Sequence, residues 1–246
     1  MAPLIQSSLA QKGAIVDGAE SRRFALPNYH DNPLIANGAD NPSVEAYKSL
    51  RTQVMKAHFT RDVVSVVVTS AGHSDGKTLT TFNLACACAQ LQDLPVLLVD
   101  ADLRTQGLTR FIGDLPPAGL ADFLSGTVSC EDIAVRTNLG DLWVIGAGTT
   151  AGMSPAELFS TERWLQFMMW ARKRYKLVLV DSLPISVVAD FELIAGACDG
   201  VVVVVRTLKT HREELEEAFA QLDTSKVVGV VWNGSLKTQK YYGQGR

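Results

Sequence analysis

The sequence is poor in cysteine, in net charge and in long apolar runs. Its 246 residues hold four cysteines, Cys86, Cys88, Cys130 and Cys198. Cys86 and Cys88 stand two apart in a stretch expected to be helical, so they point to different faces. No zinc-ligand spacing occurs, and a disulfide framework is not expected at this size. The formal net charge is -3, which gives no support to broad nucleic-acid binding; no nucleic-acid partner is expected. No run of 18 apolar residues appears, so no membrane span is expected. The opening stretch, MAPLIQSSLAQKGAIVDGAE, lacks a charged start followed by a long apolar core, which argues against a secretory signal. Together these absences point to the cytoplasm. A hydrophobic share of 47% is enough for one large globular domain or two small ones.

Residues 1–40 are rich in Ala, Gly, Asn, Ser and Pro without periodicity, and read as a flexible N-terminal arm. NPSVEAYKSLRTQVMKAHF, residues 41–59, reads as a helix that begins at Pro42. Val44, Tyr47, Leu50, Val54 and Met55 recur there at helical spacing. From residue 62 onward the pattern alternates. VVSVVVTS, LPVLLVDAD, DLWVIGAG, KLVLVDS, DGVVVVVR and KVVGVVWN read as buried strands. Helix-length segments lie between them at 77–91, 155–174, 187–196 and 211–222. Continuous apolar strands separated by helices imply an α/β fold: a three-layer, doubly wound, mostly parallel sheet over residues 41–234. Residues 235–246 read as a flexible tail. Trp164, Phe167, Met168 and Trp170 are expected in the core, Tyr175 reads as structural, and Arg172, Lys173 and Arg174 read as a solvated helix end.

The stretch TSAGHSDGKT, residues 69–78, interrupts this regularity between a strand and a helix. It has the form A-x-x-x-x-G-K-T, with Ala71 where a phosphate-binding loop commonly starts with Gly. Small residues let main-chain amides of Gly72, His73, Ser74, Asp75 and Gly76 converge on phosphate oxygens. The helix start at Lys77, Thr78 and Leu79 adds its positive dipole end. Lys77 supplies a mobile charge for β- and γ-phosphates, and Thr78 a hydroxyl for Mg2+. A Gly-rich turn with a solvated lysine shares the pattern without needing the strand before and the helix after. A nucleotide's β- and γ-phosphates with Mg2+ are therefore the expected ligands. Ser74 carries a condition: a positive φ there strains a serine, at a cost of about 1 kcal/mol or more.

Two further strand ends carry acids. VLLVDADLR supplies Asp100, Asp102 and Arg104, and KLVLVDSLP supplies Asp181 and Pro184. In a parallel sheet, ligands bind beyond the carboxyl ends of the strands, so these acids are expected beside the phosphates. Any one of them is also a plausible helix or turn cap. All of them, in this order after a phosphate loop, call for a cation.

TSAGHSDGKT, VLLVDADLR and VLVDSLP, with EAYKSLRT, NLACACAQ, SPAELFS, DGVVVVVR and GVVWN, resemble the bacterial tyrosine kinases of capsule and exopolysaccharide synthesis. That family lies within the deviant P-loop group that includes the ParA/MinD ATPases. The resemblance covers residues 41–242. It implies an ATP-dependent protein tyrosine autokinase. Lys77 and Thr78 would hold phosphate and Mg2+, Asp102 would act as general base, Asp100 would lie closer to metal, and Asp181 would hold Mg2+ through water. Arg104 would stabilise charge on the transferring group, and Asn233 would contact the base. Helix 43–55, with Glu45, Lys48 and Arg51, is similar to the family's E-x-x-R-x-x-R oligomerisation helix, with Lys at the first Arg place. Tyr241 and Tyr242 would be the phosphoacceptors. A membrane chain-length (co-polymerase) protein of polysaccharide export would recruit and activate the chain. Ser74 and Leu183 depart from the family's Gly and Pro, and His73 is unusual. Two other readings stay open. One is a MinD/ParA-like ATPase switch, whose signature lysine place is here Gly72. The other is a degenerate nucleotide-binding partner without kinase activity.

Overall fold

The computed structural model describes residues 42–234. The expected arm and the tail with Tyr241 and Tyr242 lie outside the described residues. Helix α1 (Pro42–Arg61) starts on a proline whose missing N–H is no loss in a first turn. Glu45 in its first turn and Arg61 in its last suit the helix dipole. Then follow β1 (Ser65–Ser70), α2 (Lys77–Ala89), β2 (Val96–Asp100), α3 (Gly107–Ile112), α4 (Leu120–Ser125), α5 (Cys130–Ile133), β3 (Val135–Arg136) and β4 (Leu142–Ile145). The second half contains α6 (Pro155–Phe159), α7 (Glu162–Arg174), β5 (Leu177–Asp181), α8 (Val188–Gly196), β6 (Gly200–Arg206), α9 (Arg212–Ala220) and β7 (Val227–Asn233).

The strands form one seven-stranded sheet in the order β3-β4-β2-β5-β1-β6-β7. Every pairing is parallel except β3 with β4. The strands' apolar runs serve two cores at once. Val67, Leu97, Val99, Val178, Val180, Val201, Val203 and Val205 face one core, with side chains of α4 to α8. Val66, Val68, Val96, Leu98, Leu177, Leu179, Val202 and Val204 face the other, with α1, α2 and α3. Successive residues of a strand point to opposite faces, so an unbroken apolar run is what a sheet covered on both sides requires.

Four features differ from the sequence reading. β7, expected to be buried, is an edge strand with no buried residue and Trp232 exposed. The expected helix 155–174 is two helices. Ser160 Oγ donates to Glu157 O at 2.8 Å and Thr161 Oγ1 to Leu158 O at 2.8 Å, and Thr161 adopts extended backbone as the cap of α7. Hydroxyls that satisfy local carbonyls in this way compete with helix continuation. The short helices α3 to α5 and the two-residue antiparallel edge β3 had no periodicity to announce them. Arg172 is no solvated helix end: one Nη donates to Ser65 Oγ at 2.8 Å, Ala197 O at 2.6 Å and Asp199 Oδ1 at 2.9 Å. Trp164, Phe167, Met168 and Tyr175 are buried as expected. Among the described residues no helix is long and apolar enough to cross a membrane.

Phe167 is the centre of the aromatic layer under the sheet. It is fully buried, with Trp164, Phe123 and Trp170 ring centroids at 5.5, 5.9 and 5.8 Å. Phe167→Ala is expected to remove about 3 to 5 kcal/mol of unfolding free energy in a urea titration. A loss below about 1 kcal/mol would show that α7 does not belong to a close-packed core.

Candidate active site

The loop after β1 is held from behind. Asp75 points inward, 1% exposed. Its Oδ2 accepts from Gly72 N at 3.0 Å and from Thr210 Oγ1 at 3.1 Å, and Lys209 Nζ lies 3.8 Å from its Oδ1. Lys209 Nζ also donates to the carbonyl of His73. Asn233, at the end of β7, donates its side-chain amide to Asp75 O at 2.8 Å. Gly76 has φ 95° and a Cβ there would meet Asn233 Nδ2 at 2.0 Å, so only glycine fits. Ser74 has φ 61°, the strained left-handed conformation that the sequence reading made conditional. The His73 side chain is exposed and the Leu79 side chain packs toward the α1–α2 core. Asn233 bonds the loop itself and so braces it.

In front of the loop the charged residues meet. Lys77 opens α2, and its Nζ stands 3.3 Å from Asp102 Oδ2, with side chains 14% and 2% exposed. Thr78 Oγ1 donates to Asp181 Oδ2 at 2.8 Å and Thr81 Oγ1 to Asp181 Oδ1 at 3.1 Å. Asp100 and Asp181 are register partners at the carboxyl ends of β2 and β5. Thr109 donates its amide at 2.7 Å and its hydroxyl at 2.6 Å to Asp100 Oδ2. Thr105 does the same for Asp102, with amide to Oδ1 at 3.0 Å and hydroxyl to Oδ2 at 2.7 Å. The structure thus brings Lys77, Thr78, Asp100, Asp102 and Asp181 together, as expected. Arg104 leaves the same loop and donates Nε to Asp190 Oδ2 at 2.7 Å. Thr81, Thr105, Thr109, Thr210 and Asp190 were not foreseen, nor was the inward side chain of Asp75, which was expected to contribute its amide. Thr105 alone carried a local signal, since it lies three residues past an Asp that starts a turn.

The carboxylates differ in proton affinity. Burial pushes Asp181 up to about 7, against the pull of Lys77 and aided by Asp100. Burial likewise pushes Asp100 up to about 6, opposed by Thr109 and aided by Asp102. Burial acts to raise Asp102 too, but the amide and hydroxyl of Thr105 and the Lys77 ammonium outweigh it and hold it below the usual range. Among the described residues no three His, Cys, Asp or Glu side chains form a cage for a metal ion. A hydroxyl and carboxylates in this arrangement suit Mg2+, which binds few protein oxygens and completes its shell with water and phosphate.

No family model matches the chain. It is 34% identical over 203 residues to tyrosine-protein kinase YwqD of Bacillus subtilis, covering 81% of this chain and 84% of that protein. It is 31% identical over 201 residues to tyrosine-protein kinase CpsD of Streptococcus pneumoniae, covering 80% and 87%. A putative tyrosine-protein kinase, EpsB of Ralstonia solanacearum, is 34% identical over 208 residues, but the chain spans only 28% of its length. Among solved structures, the kinase domain of the Escherichia coli tyrosine kinase ETK superposes with a TM-score of 0.72 at 28% identity, covering 82% of this chain and 80% of that one. MinD of Pyrococcus horikoshii, complexed with Mg-ADP, superposes with a TM-score of 0.56 at 18% identity, covering 69% and 68%, and shares the fold.

Two outcomes test this electrostatic and steric account. Asp100 and Asp181 hold protons more tightly folded than unfolded, so stability is lost as pH rises from the ordinary value of 3.8 through about 7. Thermal unfolding of the metal-free protein should show that decline, Asp181→Asn should flatten it, and a decline unchanged in that variant would refute the assignment. Ser74→Gly should raise unfolding free energy by about 0.5 to 1 kcal/mol through relief of the positive φ; a destabilisation would mean that the serine is not strained.

Proposed function

Because the chain belongs to the bacterial tyrosine-protein kinase family, we propose that this cluster transfers the γ-phosphoryl group of ATP to Tyr241 and Tyr242 of a neighbouring copy. The observation that carries the reading is the Lys77–Asp102 contact at 3.3 Å. It puts the phosphate-binding cation and a carboxylate base side by side at the mouth of the loop. The Gly72 amide, expected among the phosphate donors, is committed to Asp75; the amides of residues 73–76 and the start of α2 hold the phosphates. Lys77 exchanges Asp102 for β- and γ-phosphate oxygens. Asp102, kept in place by Thr105, is then free to accept the tyrosine hydroxyl proton. The tyrosine oxygen forms a bond to the γ-phosphorus as the bond to the β,γ-bridging oxygen breaks, and ADP leaves. Thr78 and Asp181, the latter through water, are the residues that fit Mg2+. Bound there, the ion would neutralise phosphate charge. Asp100 accepts from Asp102 N at 3.2 Å and so supports the loop.

Self-association fits α1 in a particular way. Lys48 Nζ pairs with Glu45 Oε1 at 2.6 Å within the helix, both side chains 41% exposed. Arg51 donates an Nη to Ala87 O at 2.8 Å. Arg51 therefore fastens α1 to the end of α2, and Glu45 and Lys48 remain on the surface for a neighbour. A membrane protein of polysaccharide chain-length control is the proposed recruiter to the inner face of the membrane, and regulation of capsule or exopolysaccharide export the proposed outcome. Gly72 occupies the place of the MinD/ParA signature lysine, which speaks against a pure ATPase switch.

Purified protein, incubated with ATP and Mg2+ and the activator's cytoplasmic segment, should gain phosphotyrosine. Lys77→Ala should lower incorporation at least about 100-fold, and Tyr241→Phe with Tyr242→Phe should abolish it. Undiminished labelling in Lys77→Ala, or none in the unsubstituted protein, would remove the proposal.

A further inference from the structure

One buried acid next to the reaction set has no part in the chemistry above. Asp190 lies in the first turn of α8 and is 1% exposed. Its carboxylate accepts from Arg104 Nε at 2.7 Å, and the Arg104 side chain is 50% exposed. The two residues come from the two loops that carry the reacting acids. Arg104 lies two residues after Asp102 in the loop after β2, and α8 follows the loop after Asp181.

The form of the contact matters more than its existence. A buried ion pair adds little net stability, because desolvation offsets attraction. It does fix geometry. A guanidinium has five N–H donors, and this bond uses only the one on Nε. The plane of the group is set, while both Nη atoms stay uncommitted: the Arg104 side chain has no other hydrogen-bond partner among the described residues. The Arg104 side chain is half exposed, and the loop that carries it also carries Asp102, the base. A lysine at 104 would have neither the Nε anchor nor the fork.

Resting on the kinase reading above, we propose that Asp190 is a positioning residue: it grips Arg104 through Nε and presents the two Nη groups to the phosphoryl group in transfer. Arg104 touches the reacting atoms, and Asp190 acts through it. Such an arrangement moves turnover, not nucleotide affinity, because the contact is made in the transition state.

The test is a double-mutant cycle on the full-length chain, with kcat and the KM for ATP measured in autophosphorylation and the melting temperature alongside. Arg104→Ala should lower kcat about 100-fold. Asp190→Asn, which keeps shape but loosens the grip, should lower kcat about 10-fold with KM for ATP within about twofold. The double variant should be no slower than Arg104→Ala alone. Arg104→Lys should fall with Arg104→Ala and not be rescued. Asp190→Asn with a lowered melting temperature and parental kcat would make the pair a mere strap and overturn the proposal, as would losses that multiply. If Asp190→Asn fails to fold, Arg104→Lys decides: parental kcat in that folded variant overturns the role, and a loss with unchanged KM upholds it. An unsubstituted chain that transfers nothing overturns the kinase reading together with this one; an active parent with an unaffected Asp190→Asn overturns this one alone.

Discussion

One ammonium faces three buried carboxylates at the carboxyl edge of the sheet, and the rest of the site is organised around that imbalance. Lys77 neutralises Asp102 at 3.3 Å. Asp100 and Asp181, side by side on β2 and β5, are left to resist ionisation by burial and by mutual repulsion. A parallel sheet enclosed by helices is a poor place for uncompensated charge. The cluster persists because each carboxylate is bonded by hydroxyls or amides, and in the proposed reaction a divalent cation entering with a polyanion would make it favourable. Under that reading Lys77 would give up one partner to take another.

Rigidity comes from two different devices. On the acid side, Thr78, Thr105 and Thr109 each spend a hydroxyl on a carboxylate. A threonine has only one proton to donate, so its rotamer and the carboxylate's are set together. Thr109 also accepts from Ala147 N at 2.8 Å, which ties the end of β4 to the acid on β2. On the loop side only the Gly72 amide is spent, on Asp75, and in the proposed reaction the others would be left for phosphate. The bracing is done from behind, by Asp75 with Thr210 and Lys209 and by Asn233. Ser74 holds its left-handed conformation inside that frame, a local strain tolerated where the surroundings fix the backbone.

What could be read from the sequence and what could not follow one line of physics. Val201 to Val205 announce a doubly covered strand because burial on both faces leaves no polar place in the repeat. Gly76, Lys77 and Thr78 announce a phosphate loop because each type answers a steric or electrostatic need at a fixed offset. Asp100, Asp102 and Asp181 were placed by the rule that strand ends of a parallel sheet converge. Thr109 and Asp190 obey no offset: they reach their partners only after α3 and α8 have packed. The break between Ser160 and Thr161 rested on hydroxyls choosing local carbonyls, a preference too weak to outrank the long apolar period around it. Asn233 was visible as a polar residue at a ligand-end strand, but sequence alone cannot tell a group that faces the ligand from one that faces the back of the loop.

The exchange of Lys77 between Asp102 and phosphate does more than uncover a base. Asp102 stays weakly basic at present because Thr105 and Lys77 together overcome the effect of its burial. In the proposed reaction Lys77 leaves for the phosphates while burial remains, and the arriving phosphates bring like charge. Both changes favour the protonated carboxyl, so its proton affinity rises. A general base becomes effective as its pKa approaches that of the working solution. The nucleotide would thus strengthen the base in the act of binding, and without nucleotide the base would stay both masked and weak. In that reading the Lys77–Asp102 ion pair would also discourage wasteful proton transfer or hydrolysis by a stray water, since the lysine cannot serve both partners at once.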